Sequence, residues 1–363
     1  MRIAVVGPAF PYKGGGAHHT TELARRLAVA GHDVAIESWR AQYPGFLYPG
    51  QQTISEPEGE PFPGTRRRLD WRRPDGWYRT GKALRAYDLV VLAVLSPVQV
   101  PSYLGILAGL KRRTPVVALC HNVLPHERKR YDEPLMRRLL GKADGVLVHS
   151  EAQAELARGL TPRPVRVAEM PAHLPASGGA PAPDGKVRRR LLFWGIVRPY
   201  KGLDVLLRAL AEGPRDVGLT VAGEFWGGLD ETRELIRSLD LTSRVDLRPG
   251  YVPAADVPGL FAAADALVLP YRTATASQNV WMAYEHGLPV IATDVGGFAE
   301  QVRDGVDGLI CPPGDVPALA EALTRFYAPG EPERLRSGVR PVDHGPVWAA
   351  YLEALTALTG GVR

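Results

Sequence analysis

Short apolar runs recur along the chain, closed by Gly, Pro, Ser or Asn, and many are followed by stretches whose apolar positions repeat with a helical period. The clearest succession lies between Ala264 and Pro312. It reads as a strand over 266–270, a polar loop, a helix over 280–286, a strand over 289–293, a Gly-Gly turn, a helix over 298–303 and a strand over 308–311. Strands alternating with helices build a parallel sheet buried on both faces. Loops leaving the carboxyl ends of such strands meet helix N-termini, so 271–279 and 294–299 are expected to share one crevice. Free amides there suit an anion.

The same alternation opens the chain. RIAVVG reads as a strand, followed by a loop with Gly14, Gly15 and Gly16, a helix that stops at Gly31, and a second strand. Three glycines beside a helix start keep side chains out of a ligand's way. The loop lacks the Gly-Lys-Ser/Thr of a nucleotide P-loop and the compact Gly-x-Gly-x-x-Gly turn, and a flexible turn without ligand is the competing reading. YDLVVLAVL, VVALC and GVLVHS supply further strands of an expected six-strand first domain over 1–172. His121 stands at the end of VVALC, on the rim where α/β sheets keep reactive groups, and a structural hydrogen-bonding role suits that position as well.

Pro, Ala and Gly dominate the next stretch, which reads as an interdomain linker over 173–188. A second domain over 189–345 opens with the strand LLFWG and places Arg198 and Lys201 on the loop before a helix beginning near Gly202. Two cations at a helix's positive end can hold a diphosphate, although loop cations are often merely solvated. VGLTVAGE and VDLRPGYV end at the same rim, with Gly223, Glu224 and Tyr251. A final helix over 346–363 carries the apolar stripe Trp348, Tyr351, Leu352, Leu355 and Leu358, and is expected to pack back on the first domain.

Composition narrows the class. With 363 residues and 45% hydrophobic content the chain can bury two α/β cores. It starts without a charged-then-apolar leader, and no apolar run reaches the roughly 20 residues of a spanning helix, so a cytoplasmic protein is expected. Cys120 and Cys311 end apolar runs, as buried free thiols do. The net charge of +5 permits an anionic partner. Its densest patch lies in 40–80, which lacks a clean period and interleaves Arg66, Arg67, Arg68, Arg72 and Arg73 with Trp71, Trp77 and Tyr78. That stretch reads either as a solvated loop with local Arg–Asp pairs or, at Arg66, Arg67, Arg68 and Trp71, as a contact for an acidic acceptor or the inner face of the plasma membrane. No nucleic-acid motif appears, and no nucleic-acid partner is expected.

The Gly-Gly-Gly loop before a helix, HNVLPHE, RPYKGLD and GLPVIATDVGGFAE followed by DGLICPPGD, in this order, resemble the retaining glycosyltransferases of family 4. The resemblance covers nearly the whole chain, most strongly 191–315. It implies the GT-B fold, α/β with two Rossmann-like doubly wound domains facing a central cleft. It also implies transfer of a sugar, with retention, from a nucleotide-diphosphate sugar to a glycan, lipid-linked or small-molecule acceptor. The donor is then a co-substrate, with neither cofactor nor metal required. Gly15 and Gly16 are implied to lie against the donor diphosphate and His121 to reach the donor sugar. Arg198 and Lys201 would neutralise the departing diphosphate, onto which an oxocarbenium-like transition state sheds charge. Gly223, Glu224, Tyr251, Ser277, Gln278, Asn279, Val280, Gly296, Gly297 and Glu300 would complete the donor site. The chain contains no Asp-x-Asp.

Two departures stand out. The family's usual pair of glutamates falls at Ala274 and Met282, leaving Thr273, Thr275, Ser277, Gln278 and Asn279 as substitutes and Glu285 as the nearby acid. The usual arginine after the strand glycine is displaced, since Ile196 follows Gly195 and Arg198 comes two later. A nucleotide-sugar epimerase, a phosphorylase or a non-catalytic sugar-nucleotide-binding relative on the same fold are the alternatives.

Overall fold

The computed structural model describes residues 1–45, 50–111, 113–125, 127–173, 186–274 and 277–358. In the first unit β1 (Arg2–Val6), β4 (Leu89–Val94), β5 (Val116–Cys120) and β6 (Gly145–Val148) form the sheet centre, flanked by β2 (Asp33–Ala41), β3 (Thr65–Asp70) and β7 (Val165–Val167). The order is β3-β2-β1-β4-β5-β6-β7 and every pairing is parallel. Helices α1 (Gly15–Val29), α2 (Pro74–Leu84), α3 (Val100–Leu110), α4 (Asp132–Leu140) and α5 (Glu151–Leu160) connect them. Every residue of β4, β5 and β6 is buried, which is why these strands are continuous apolar runs rather than alternating ones.

The sheet has seven strands where six were expected, because β3 and β7 carry no readable period. TRRRLD turns its three arginines outward on an edge strand, and its register against β2 shifts at Ser38/Trp39 and Trp39/Ala41, so alternation is broken. The stretch 40–80 is therefore not simply a loop. Arg66, Arg67 and Arg68 belong to β3, and α2 follows four residues later.

The second unit repeats the plan. β8 (Arg190–Trp194), β9 (Gly218–Gly223), β10 (Val245–Pro249), β11 (Ala266–Leu269), β12 (Val290–Thr293) and β13 (Gly308–Cys311) form a parallel sheet in the order β10-β9-β8-β11-β12-β13. Its helices are α6 (Leu203–Glu212), α7 (Leu229–Ser238), α8 (Val257–Ala262), α9 (Asn279–Glu285), α10 (Phe298–Gln301), α11 (Val316–Phe326) and α12 (Glu331–Gly338). α10 stops two residues short of its expected end because Val302 is already extended. Most of the expected linker, 174–185, lies outside the described residues.

The last helix, α13 (Gly345–Ala357), belongs to the first unit, which comprises Met1–Pro175 and His344–Arg363. Trp348, Tyr351, Leu355 and Leu358 join Ile3, Leu23 and Val91 in one core cluster, and the Trp348 indole donates to the Ala172 carbonyl at 3.0 Å. Both cysteines are buried free thiols, and burial pushes Cys120 up to about 12 and Cys311 up to about 11. No helix among the described residues is long and apolar enough to cross a membrane.

Candidate active site

In both sheets the chain leaves the first strand towards one side and returns on the other, so the carboxyl ends of β1 and β4, and of β8 and β11, flank a topological switch point. Ligands of doubly wound sheets bind there. The segments singled out from sequence occupy these two rims. Gly14, Gly15 and Gly16 follow β1, His121 follows β5 beside β4, Arg198 and Lys201 follow β8, and the Ser277–Asn279 stretch follows β11.

In the second unit, β8 ends in a tight arrangement. A Cβ on Gly223 would lie 2.0 Å from the Gly195 carbonyl oxygen, so glycine lets these two backbones touch. The Val197 amide donates to the Glu224 carbonyl at 2.7 Å, extending the β8–β9 pairing past the strands. The chain then makes one 3-10 turn, Pro199–Lys201, before α6. Arg272 clamps that turn: its guanidinium donates to the Pro199 carbonyl at 2.8 Å and to both Asp204 oxygens at 2.8 and 2.6 Å, while its amide donates to Tyr200. Sequence reasoning passed over Arg272 and Asp204, whose sequence separation gives no local signal.

The result is a buried cation at the rim. Lys201 is 8% exposed, and its ammonium lies 5.2 Å from the centroid of the buried Tyr271 ring. Burial pushes its pKa down, and the charge of Arg198 pushes the same way. Such an ammonium gains most from an incoming anion. The Arg198 guanidinium sits 5.1 Å from the Trp226 ring centroid, a cation–π placement. Asn279 Nδ2 donates to the Tyr271 hydroxyl at 3.2 Å, and its amide donates to Ser277 Oγ at 3.3 Å. A Cβ placed on Gly195 would lie 3.3 Å from Lys201 Nζ and 3.9 Å from Asn279 Nδ2. Lys201, Asn279 and the Gly195 backbone therefore converge on one spot. Burial raises the Tyr271 hydroxyl, which stays a neutral donor and acceptor.

The remaining donor residues fall into distinct places. Ser277, Gln278 and Asn279 are half-buried at the start of α9, whereas the Val280 side chain is fully buried in the core, so only its backbone can face a ligand. Thr275 lies outside the described residues, and Thr273 is exposed. Met282 is half-buried; Glu285 is exposed at the end of α9, with partial desolvation raising its carboxyl. Glu300 is exposed in the first turn of α10, which has no side-chain cap. Gly296 (φ 55°) packs so closely that a Cβ would meet the Ala274 carbonyl oxygen at 2.2 Å. Tyr251 lines a hollow of about 530 Å³ beyond β10, together with Arg248, Gly250, Val252 and Leu260. Gly296→Ala combines a left-handed backbone with a collision, so it is expected to destabilise the fold by about 2 kcal/mol or more in denaturant titration; an unchanged midpoint would show that the turn relaxes freely.

In the first unit the glycines do unequal work. A Cβ on Gly16 would strike Leu95 at 2.7 Å, so its missing side chain makes room for protein; on Gly15 it would lie 3.5 Å from His173 Nε2. His121 belongs to a buried histidine cluster. Its ring centroid is 4.7 Å from that of His19 and 5.3 Å from that of His149, and His19 lies 5.0 Å from His173. Tyr351 and Trp348 of α13 close the cluster against His19. His121 Nε2, His149 Nε2, both ring nitrogens of His19 and the Tyr351 hydroxyl are buried with no hydrogen-bond partner among the described residues. Each such group costs on the order of 1–3 kcal/mol if it stays unpaired, so this rim makes an open polar demand. His149 sits at a strand end like His121, a signal that sequence reading could have used; His19 and His173 gave none.

The Arg-aromatic segment is only partly available to a ligand. Arg66 donates to the buried Glu37 carboxylate at 3.3 Å and to the Tyr87 hydroxyl at 3.0 Å, Arg67 donates to the Phe10 carbonyl at 2.8 Å, and Arg68 lies 4.0 Å from Glu37. Trp71 is 38% exposed. The local Arg–Asp pairs of the simpler reading exist, at Arg72–Asp70 and Arg73–Asp75.

Comparison with known proteins bears on all of this. Residues 13–170 match the family described as Glycosyltransferase Family 4, and residues 188–328 match Glycosyl transferases group 1. A D-inositol 3-phosphate glycosyltransferase of Actinosynnema mirum is 30% identical over 258 residues, 64% of this chain and 62% of that protein. A phosphatidyl-myo-inositol mannosyltransferase of Mycolicibacterium smegmatis is 28% identical over 354 residues, 93% of this chain and 87% of that protein. Among solved structures, HepE of Anabaena in complex with UDP-glucose superposes with a TM-score of 0.70 at 18% identity, covering 98% of this chain and all of that one. That likeness concerns the fold, which is GT-B. With two parallel α/β units and both family matches in register with them, the chain belongs to the family 4 glycosyltransferases.

Proposed function

We propose that the chain moves a sugar, with retention at the anomeric carbon, from a nucleotide-diphosphate sugar to an acceptor. The observation that carries this reading is the convergence of Lys201 Nζ, Asn279 Nδ2 and the Gly195 backbone at the switch point of the second unit, with Arg198 on the same turn. A sugar leaving a diphosphate develops positive charge at its anomeric carbon and negative charge on the departing oxygen. Cations already desolvated and fixed in place stabilise that charge without reorganising, and Lys201 meets both conditions. In this reading the hollow beside Tyr251 receives the nucleoside, and the Gly296–Gly297 turn with Ser277–Asn279 holds the sugar and ribose in place of the missing acids at Ala274 and Met282. His121, whose Nε2 has no hydrogen-bond partner among the described residues, is in this reading a contact for the donor sugar. The neutralising work falls to side chains, which supports a reaction that needs no metal.

The names of two relatives point to acceptors that carry inositol and phosphate, and we extend to this chain only the class, a polyol or glycan acceptor bound by the first unit. Melting the protein with UDP-, GDP-, ADP- and dTDP-sugars tests the donor. A donor present at about 100 times its Kd adds about 2.7 kcal/mol of stability, a shift of several degrees, whereas no shift with any donor would count against the proposal. Repeating the panel on Asn279→Ala and Glu285→Gln separates the loop from the acid: Asn279→Ala is expected to shrink the shift and Glu285→Gln to leave it. The reverse result would make Glu285 the ribose-binding acid.

A further inference from the structure

We propose that a hollow in the first unit, walled by arginines of β2, β3, the turn after β3 and α2, is a binding site for a phosphate-bearing ligand. The hollow measures about 510 Å³ and is lined by Arg40, Arg68, Asp70, Arg72, Arg73 and Arg79. β2 and β3 run parallel with Ala41 opposite Asp70, and Arg40, skipped at the register shift between Trp39 and Ala41, lies near enough for its charge to act on Asp70.

Two aspartates hold three of the five guanidiniums in place. Arg72 donates to both Asp70 oxygens at 3.0 and 2.8 Å, and Arg73 donates to both Asp75 oxygens at 3.0 and 2.9 Å. Asp75 also receives Arg79. The Arg72 hydrogen bonds hold Asp70 below the usual carboxylate range, and the charge of Arg40 adds to this. Five guanidiniums thus face two carboxylates, an excess of three positive charges. Counting Glu37 with Arg66 and Arg68 leaves the same excess.

A face of merely solvated arginines would spread its charges and keep its rotamers free. Here like charges are gathered around a concavity and oriented by carboxylates that do not neutralise them. A guanidinium fork matches phosphate oxygens two at a time, and fixing the fork beforehand lowers the entropy lost on binding. A phosphate, carrying roughly two negative charges, matches the excess better than a single carboxylate does. The volume falls within the range of about 300–1,000 Å³ typical of small-molecule sites, so the ligand is larger than the phosphate alone. The site uses none of the residues assigned to the donor, and the proposal stands whether or not the chain transfers sugars.

Titration calorimetry with inorganic phosphate, paired with co-sedimentation on phosphatidic acid–phosphatidylcholine vesicles, tests it. Wild type is expected to bind phosphate in a saturable step. Arg40→Gln with Arg79→Gln is expected to weaken that step about tenfold, Arg73→Lys to weaken it several-fold by keeping the charge and losing the fork, and Lys201→Ala, which removes the buried ammonium at the other rim, to leave an arginine-dependent step in place. If the ligand is a lipid headgroup, the vesicles bind wild type, free phosphate displaces them, and the double variant releases them. If it is a soluble phosphate ester, the phosphate step stands while the vesicles stay unbound. A folded double variant that binds both probes like wild type would overturn the proposal, as would a phosphate step lost only in Lys201→Ala.

Discussion

Lys201→Ala is expected to lower kcat/KM about a hundredfold or more while leaving the melting temperature near that of wild type. Lys201 is buried with its ammonium over the Tyr271 ring, and burial already pushes it towards the neutral form. In the free protein that charge is a burden, since a buried ammonium without an anion is poorly solvated. Its removal therefore costs the fold little. Once a diphosphate carries the departing charge, the same ammonium stabilises it in a site from which water is largely excluded, and losing one such donor costs about 2.7–4 kcal/mol of transition-state stabilisation. The loss should appear in kcat rather than KM alone, because charge on the leaving oxygen grows only as the bond breaks. Arg198→Ala should act in the same direction. Unchanged kinetics in Lys201→Ala would remove this turn from the chemistry.

That site was legible because its parts are local. A buried strand, a glycine, two cations and a helix start lie within one short stretch after β8, and such a sequence announces a sheet rim without any tertiary information. What holds the rim was not legible. Arg272 reaches Asp204 and Pro199 across the sheet, and Tyr271 is placed under Lys201 by the return of β11 beside β8. Periodicity failed for a different reason at β3, where three consecutive arginines on a bulged edge strand erase the alternation that buried neighbours display. His121 was visible by its position at a strand end, but its cluster was not. His19, His149 and His173 come from separate elements and meet only when the sheet forms.

The cluster gives the second large expected effect, a loss of stability in mild acid. Burial holds His149 down to about 4 and His173 down to about 3, and it holds His19 and His121 well below their ordinary range. Among the groups facing them, Tyr351, Trp348 and Cys120 bring no charge at neutral pH, and the nearby Glu58 is bonded to His18 at 2.6 Å. In the unfolded chain these histidines titrate near 6.5. Below that value the unfolded state binds more protons than the folded one, so stability is full above about pH 6.5 and falls as pH drops towards 4. At pH 4.5 His149 and His173 together remove about 5 kcal/mol, a large share of the roughly 5–15 kcal/mol of an ordinary domain. Denaturant unfolding followed from pH 7.5 to 4.5 measures the slope, and His149→Leu should flatten it by one proton's worth. A stability that stays level over that range would mean that the cluster is hydrated and already able to charge.

The return of α13 to the first unit has a consequence for how the protein is made. The second unit, Ala176–Asp343, is one continuous stretch of chain, whereas the first is split around it. On a ribosome the earlier-synthesised sheet therefore waits for its last helix, and His19 meets Trp348 only after the intervening chain has emerged. The order of completion is inverted: the later unit can close first, while the apolar cluster of Ile3, Leu23 and Val91 stays without its cover. During that interval the nascent chain exposes the surface that Trp348, Tyr351 and Leu355 will occupy, an apolar face open to aggregation. A stalled or prematurely ended translation product would then be sticky at its N-terminal half, although every residue of that half is present.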